Sequence, residues 1–428
     1  IQFQTISNRG DARASAGEFN RLHEHITASF PLAHSRLKRE TVNESSLLYT
    51  WPGKDPALPA TLLAAHLDVV PADADQWEHP PFAGEIDDNF LWGRGALDDK
   101  ASAMAILEAA ETLLQSGFVP PRSIYLAFGH DEEVGGANCA AAMASLLRSR
   151  NVALEFVLDE GGAVTHGIIP LETPVATIGI AEKGYLTLEL SATAPGGHSM
   201  NPPPRTAIGA LARAVAALEA HPFPARIGGA TRALFDHIGP EMPFLRRAVF
   251  ANLWLFSPFV ERRLAQAPAT NAAIRTTFAA TIFQAGTREN VLPAKASATV
   301  NFRLLPGDSV DEVISKVREI IDDDGIDVQI LGKAFEPSPV ASAESAAYAH
   351  LARTIRAMFT QAIVAPYLVP GATDARHYAP LAENVYRFLA LPLTSEDLKR
   401  FHGVNERIAL DDYARLVGFY HELIATLN

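Results

Sequence analysis

Apolar and polar positions alternate along the chain in two rhythms. From about residue 46 to 160, short runs dense in aliphatic and β-branched residues (SSLLYTW, ATLLAAHLDVV, SIYLAF and EFVLDE) read as strands. Between them, DKASAMAILEAAETLLQSG (99–117) reads as a helix stopped by Gly117, and ANCAAAMASLL (137–147) as another. This alternation predicts an α/β fold, a mostly parallel sheet with helices on its faces. After Glu182 the rhythm changes. YLTLELSAT (185–193) alternates cleanly, as a half-exposed antiparallel strand does. Helix TAIGALARAVAALEAH (206–221), strand KASATVNFRLL (295–305), helix SVDEVISKVREIIDD (309–323) and strand IDVQILG (326–332) follow. These predict a small α+β domain inserted into the first, dividing the chain into 1–183, 184–333 and 334–428. The last part returns to helix, strand and helix, ending in LDDYARLVGFYHELIATL (410–427). Residues 222–275, rich in Phe, Leu and Trp, fit neither rhythm. They read as extra packing within the inserted domain, or as a greasy wall for a substrate or a partner subunit.

Length agrees with more than one core, since 428 residues exceed what a single core usually organises. Apolar residues make up 48% and charged ones 20%, the balance of a globular protein rather than a disordered one. The net charge of −13 and the lack of a basic stripe exclude a nucleic-acid partner. The single cysteine, Cys139, rules out an intrachain disulfide and is expected to be a small buried residue. No apolar run reaches the roughly 18 residues that a spanning helix needs. The sequence starts at Ile1, and a leader or anchor removed ahead of it would leave no trace, so the compartment stays open.

The chemistry sits where the apolar runs stop. His66 and Asp68 close AAHLDVV, Asp98 lies in GRGALDD, Glu132 and Glu133 in GHDEEVGG, and Asp159 and Glu160 in VLDEGG. In open α/β sheets ligands bind outside the carboxyl ends of the strands, so these positions can converge. So many carboxylates together repel one another, and a divalent cation removes the repulsion. A mixed His and carboxylate set suits zinc, manganese or cobalt better than calcium. There are enough ligands for two ions, with Asp98 placed to bridge. Taken singly, each group has a plainer reading: HxD is incidental, Asp99 before Lys100 is a helix cap and surface pair, and DEE is a solvated turn. Their joint order at strand ends outweighs those readings. Two adjacent glutamates then allow two roles, one ligating a cation and its neighbour left free as general base and acid.

AAHLDVVP, GRGALDDK, GHDEEVGG, LDEGG and FHGVNERI resemble the signature blocks of the dizinc peptidases that include carboxypeptidase S, aminoacylase and carnosinase. The resemblance runs from about residue 20 to the C-terminus, in family order. It is nearest to the carboxypeptidase S branch with its N-fatty-acyl-amino-acid synthase/hydrolases. It implies a zinc-peptidase catalytic domain with an inserted lid, and two zinc ions, for which cobalt or manganese can substitute in vitro. By the same resemblance His66 ligates one zinc, Asp98 bridges, Glu133 binds the second zinc, and His402 is the distant last ligand. Either Glu160 or Asp159 supplies the remaining one, with Glu160 favoured. Glu132 is implied as the general base, and Asp68 as the group that orients the His66 ring. His198 in PGGHS matches the lid histidine that, in dimeric members, reaches the partner's active site; this leaves two readings, a homodimer through the lid, or an insertion at 222–275 that blocks that edge or replaces the partner's contribution within one chain. Asn290 in RENVLP and Arg303 in NFR match the pair that holds a substrate carboxylate, and Arg376 in GATDARHY matches another active-site block. The implied reaction is hydrolysis of an amide next to a C-terminal amino acid in a small peptide or N-acyl amino acid, reversible in principle. Within the family a dipeptidase or aminoacylase is the alternative. A metal-dependent binding protein without turnover is the alternative from another class, and its mark would be loss of Glu132 or His198; both are present.

Overall fold

The structure, a computed structural model, describes residues 1–8 and 14–428. Among these, ten strands form one large sheet. Its centre is parallel: Ile124–Gly129, Ala60–His66, Leu154–Asp159 and Ala382–Arg387 lie side by side. Ser46–Trp51 and Lys38–Val42 add antiparallel to one edge. On the far side Val175–Glu182 pairs parallel with Ile363–Val369. The central strands are buried on both faces, which explains their unbroken apolar runs.

Helix Lys100–Gln115 covers one face and packs on the C-terminal helix Leu410–Ala425. Ala103, Ile106, Leu107, Ala110 and Leu114 are buried along it. Each fully buried Leu or Ile contributes about 1.5–3 kcal/mol. The helix stops at Gly117, whose φ is +77°. Its N–H reaches the Leu114 carbonyl and that of Phe118 the Leu113 carbonyl, both at 3.0 Å, a Schellman closure that a left-handed glycine permits.

A second, four-stranded antiparallel sheet runs in the order Thr277–Ala285, Lys295–Leu304, Gly184–Thr193, Ile326–Ile330. Ala296, Ala298, Val300, Phe302 and Leu304 all turn inward, so strict alternation along one strand supplies half a core. Helices Ala207–Ala220 and Val310–Ile321 close that core with Leu211, Val313 and Val317. Ser309 and Glu312 form a capping box at the start of the latter helix.

Residues 222–275 are helical: Gly229–Ile238, Phe244–Ala251, Leu253–Leu264 and Pro268–Ala272. Their packing is not within the inserted sheet, as the sequence suggested. Phe235, Ile238, Met242, Leu253 and Val260 cluster with Val175 and Ala365 on the edge of the large sheet. Val175 and Ala365 give that edge an apolar face, which draws the segment across to it.

Candidate metal centre

Three parallel strands set the site. His66 is the last residue of one strand and pairs with Gly129, from which the chain enters the DEE turn; Asp159 ends the strand on the other side. Their carboxyl ends coincide, so the polar tips meet above one edge of the sheet. The turn itself needs glycine. Gly135 and Gly136 have φ of +108° and +65°, and a Cβ on Gly136 would stand 1.9 Å from Asp374 Oδ1.

Asp98 is the centre of the constellation. Its Oδ1 lies 2.9 Å from His66 Nε2, and its Oδ2 lies 3.0 Å from His402 Nε2. Glu160 Oε1 stands 3.5 Å from the same His66 nitrogen. Glu133 Oε2 stands 3.0 Å from the same His402 nitrogen. Two half-sites of one His and one Glu thus share one Asp. Asp68 works from behind: its Oδ1 is 3.4 Å from His66 Nδ1, and its carboxylate accepts the backbone N–H groups of Glu132 at 3.2 Å and Glu133 at 3.1 Å. One buried carboxylate therefore sets both the imidazole and the turn.

The electrostatics follow from burial. Asp98 would be pushed up by desolvation, but the two imidazoles hold it below the usual carboxylate range. Asp98 and Glu133 raise His402 to about 10. Burial opposes the charge on His66, yet Asp68, Asp98 and Glu160 hold it well above an ordinary histidine. Glu132 and Glu160 are raised well above normal, first by burial and then by neighbouring carboxylates. Protons here do what a cation does, offsetting crowded negative charge. The donor set suits metal: two imidazole Nε2 atoms, which would bind a cation once deprotonated, and carboxylate oxygens from three sides. Glu133 Oε1 is buried without a hydrogen-bond partner, as a ligand atom awaiting a cation would be.

Asp159 stands beside this group but turns away, its Oδ1 accepting the N–H of Glu160 at 3.0 Å. Asp99 corrects the reading of a surface pair. It is fully buried, and neither carboxylate oxygen has a hydrogen-bond partner. Ligand atoms of Asp99, His66 and Glu160 lie within 4.8 Å of one another. Asp99 does hold the N-cap position of helix Lys100–Gln115, though its side chain makes no capping bond; the signal for a site role was the doublet Asp98-Asp99 itself.

Two further residues were missed. Arg94 and Glu406 form a buried ion pair at 2.7 Å. Glu406 Oε1 accepts the N–H groups of Gly95, Leu97 and Asp98 at 3.1, 2.7 and 3.1 Å. Arg94 Nη2 donates to the carbonyls of His402 at 3.2 Å and Gly403 at 2.9 Å. The pair fixes the loops that carry Asp98 and His402. Arg94 in GRGALDDK and Glu406 in FHGVNERI, charges inside two glycine-containing blocks, were the available clue.

The remaining expected residues lie on the inserted domain or at its seam. His198 is exposed on a two-stranded ribbon, Gly197–His198 against Val291–Leu292, and the Asn290 carbonyl accepts the N–H of Ser199 at 3.1 Å. His198 Nδ1 accepts the Met200 N–H at 3.1 Å and makes no contact with the metal centre within the chain. Arg303 stacks 4.8 Å over the Tyr185 ring, Tyr185 stacks on Phe335 at 5.6 Å, and Arg376 caps Phe335 at 4.6 Å. Arg376 also donates to the Gly135 carbonyl at 2.8 Å. A column of two guanidiniums and two rings therefore joins the inserted sheet to the DEE turn.

A His and carboxylate centre, buried except at the exposed His402, at the mouth of a mostly parallel sheet marks a metal-dependent hydrolase. The model of peptidase family M20/M25/M40 matches residues 62–426. A probable carboxypeptidase S-like protein of Dictyostelium discoideum is 45% identical over 95% of this chain and 79% of its own. An N-fatty-acyl-amino acid synthase/hydrolase of Xenopus tropicalis is 43% identical over 94% of this chain and 79% of its own. Carboxypeptidase S of Saccharomyces cerevisiae is 32% identical over 96% and 79%. The crystal structure of an M20 family metallo-carboxypeptidase from Sulfolobus solfataricus shares the fold, with a TM-score of 0.70 at 19% identity over 99% of this chain and 96% of that one. The chain belongs to peptidase family M20/M25/M40 and is an enzyme of the metallopeptidase class.

Proposed function

We propose that the protein hydrolyses the amide bond next to a C-terminal amino acid, with two zinc ions held by His66, Asp98 and Glu160 on one side and Asp98, Glu133 and His402 on the other. The observation that carries this reading is the split of Asp98, whose two oxygens face separate His and Glu pairs. When bound, such cations polarise a carbonyl oxygen and lower the pKa of water. Glu132 takes a proton from the attacking water as its oxygen bonds to the carbonyl carbon. It returns that proton to the leaving nitrogen as the C–N bond breaks. Asp68 keeps the His66 ring in register.

Residues 184–333 act as a lid between the catalytic parts 1–183 and 334–428. Arg303 and Asn290 hold the substrate carboxylate, the guanidinium offering a rigid fork, and Arg376 steadies the seam. His198 serves the oxyanion of a partner's site in a homodimer. Its exposure supports this, as does the open edge strand Thr277–Ala285, where Ile282 and Phe283 face solvent. The names of the relatives support two substrate classes, peptides and N-acyl amino acids. Offering zinc-loaded protein benzyloxycarbonyl-Gly-Leu beside N-oleoyl-phenylalanine, with Glu132→Ala as control, separates them. Turnover of either above the control supports the reaction, and the preferred one names the class. Equal rates in wild type and control on both would overturn it.

A further inference from the structure

Helix Leu253–Leu264 buries one side and leaves the other bare, and helix Phe244–Ala251 rests on the same cluster only through the partly buried Val249 and Phe250. Leu253 and Val260, two turns apart, face the protein. Trp254, Leu255 and Phe259 share the opposite face and are 79%, 56% and 69% exposed. Phe244 and Leu245 on the preceding helix are 72% and 78% exposed. Single exposed apolar side chains are ordinary, but five large ones on two consecutive helices mark an interaction surface.

Charge says what covers it. Arg246, Arg247, Arg262 and Arg263 flank these side chains and are exposed. Among the described residues none of the four makes an ion pair with a carboxylate. Residues 242–266 contain a single acid, Glu261, in a chain whose net charge is −13. A second copy docked on the same face would bring two arginine sets together, because an isologous contact repeats each group across the axis. Tryptophan, phenylalanine and leucine beside unpaired arginines match a surface with hydrocarbon inside and phosphate outside.

We propose that this face seats the protein on an anionic lipid surface, the rings and Leu side chains entering the acyl boundary and the arginines meeting lipid phosphates. The rest of the molecule is acidic, so the contact is oriented through this patch. The proposal does not depend on which amide the enzyme cleaves.

Tryptophan fluorescence tests it directly. Trp254 is exposed, whereas Trp51, Trp77 and Trp92 are 3%, 9% and 4% exposed, so an emission shift on binding reports Trp254. The full chain is mixed with phosphatidylcholine vesicles with and without phosphatidylglycerol, at low and high salt, and also sedimented. The expected result is a blue shift and co-sedimentation with the anionic vesicles only, weakened by salt. Arg246→Glu with Arg247→Glu, and separately Phe259→Ser, should each reduce partitioning at least tenfold while circular dichroism stays unchanged. The charge reversals alter only exposed side chains, so they keep the test valid if Phe259→Ser misfolds. Absence of any shift overturns the proposal. So does equal binding to both vesicle types that the arginine reversals leave intact. A dimer in light scattering that Trp254→Ser dissociates also overturns it, by showing a second copy on the face.

Discussion

Asp98 offers one oxygen to each of two imidazoles, and both imidazoles hold protons well above the pH where histidine normally loses them. A cation binds neutral imidazole and ionised carboxylate, so loading must expel those protons and the ones on the raised Glu160. Titration calorimetry of zinc into the metal-free protein, repeated in buffers of different ionisation enthalpy, should show net proton release near neutral pH. Affinity should rise with pH through that range. An uptake of protons would contradict the assignment of His66 and His402 as ligands. Glu132→Gln should keep its metal by mass spectrometry and lose turnover by about 10²-fold or more. His66, Asp68, Glu132 and Glu133 were legible because an apolar strand that ends in charged residues has no stabilising reason to do so. His402 was not: its backbone is left-handed, with φ of 57°, in a loop whose neighbours carry no periodic pattern. Only resemblance pointed to it.

The loops that bear the last ligands rest on a salt bridge rather than on a core. Arg94 and Glu406 are buried together, and Glu406 also receives three backbone N–H groups of the Asp98 loop. Breaking such a pair by removing one partner costs about 3–5 kcal/mol, because a charge is left buried alone. Glu406→Ala should therefore lower stability by that amount in urea unfolding of the metal-free protein. It should also weaken metal binding, since Asp98 and His402 both lose support. Unchanged metal affinity would sink the positioning role. Regular elements were easier to read than these loops. Lys295–Leu304 declares itself by alternation, and Lys100–Gln115 by its apolar content and its stop at Gly117. The helices of 229–272 were obscure because Phe, Leu and Trp occur on both their buried and their open faces, which blurs any period.

Across the whole molecule, the inserted sheet has its own core and meets the large sheet's DEE turn through the Arg303, Tyr185, Phe335, Arg376 column. His198 lies outside that contact, exposed on its ribbon. If it serves a neighbouring chain, mixing two inactive variants, His198→Ala and Glu132→Gln, should restore activity, and light scattering should show a dimer. A fully active monomer would remove the role in trans. Alternation and strand-end chemistry thus conveyed both sheets and most of the centre. The joints between them stayed hidden, because a ring stack and an ion pair between residues 312 positions apart leave no local rhythm.

That same separation sets an order in time. His66, Arg94 and Asp98 leave the ribosome about 300 residues ahead of His402 and Glu406. Until then the growing chain has half of each loop and no second imidazole, so it cannot assemble a working centre beside its own unfolded backbone. Truncation ahead of His402 would, in the same way, remove the second imidazole while leaving every earlier ligand in the chain.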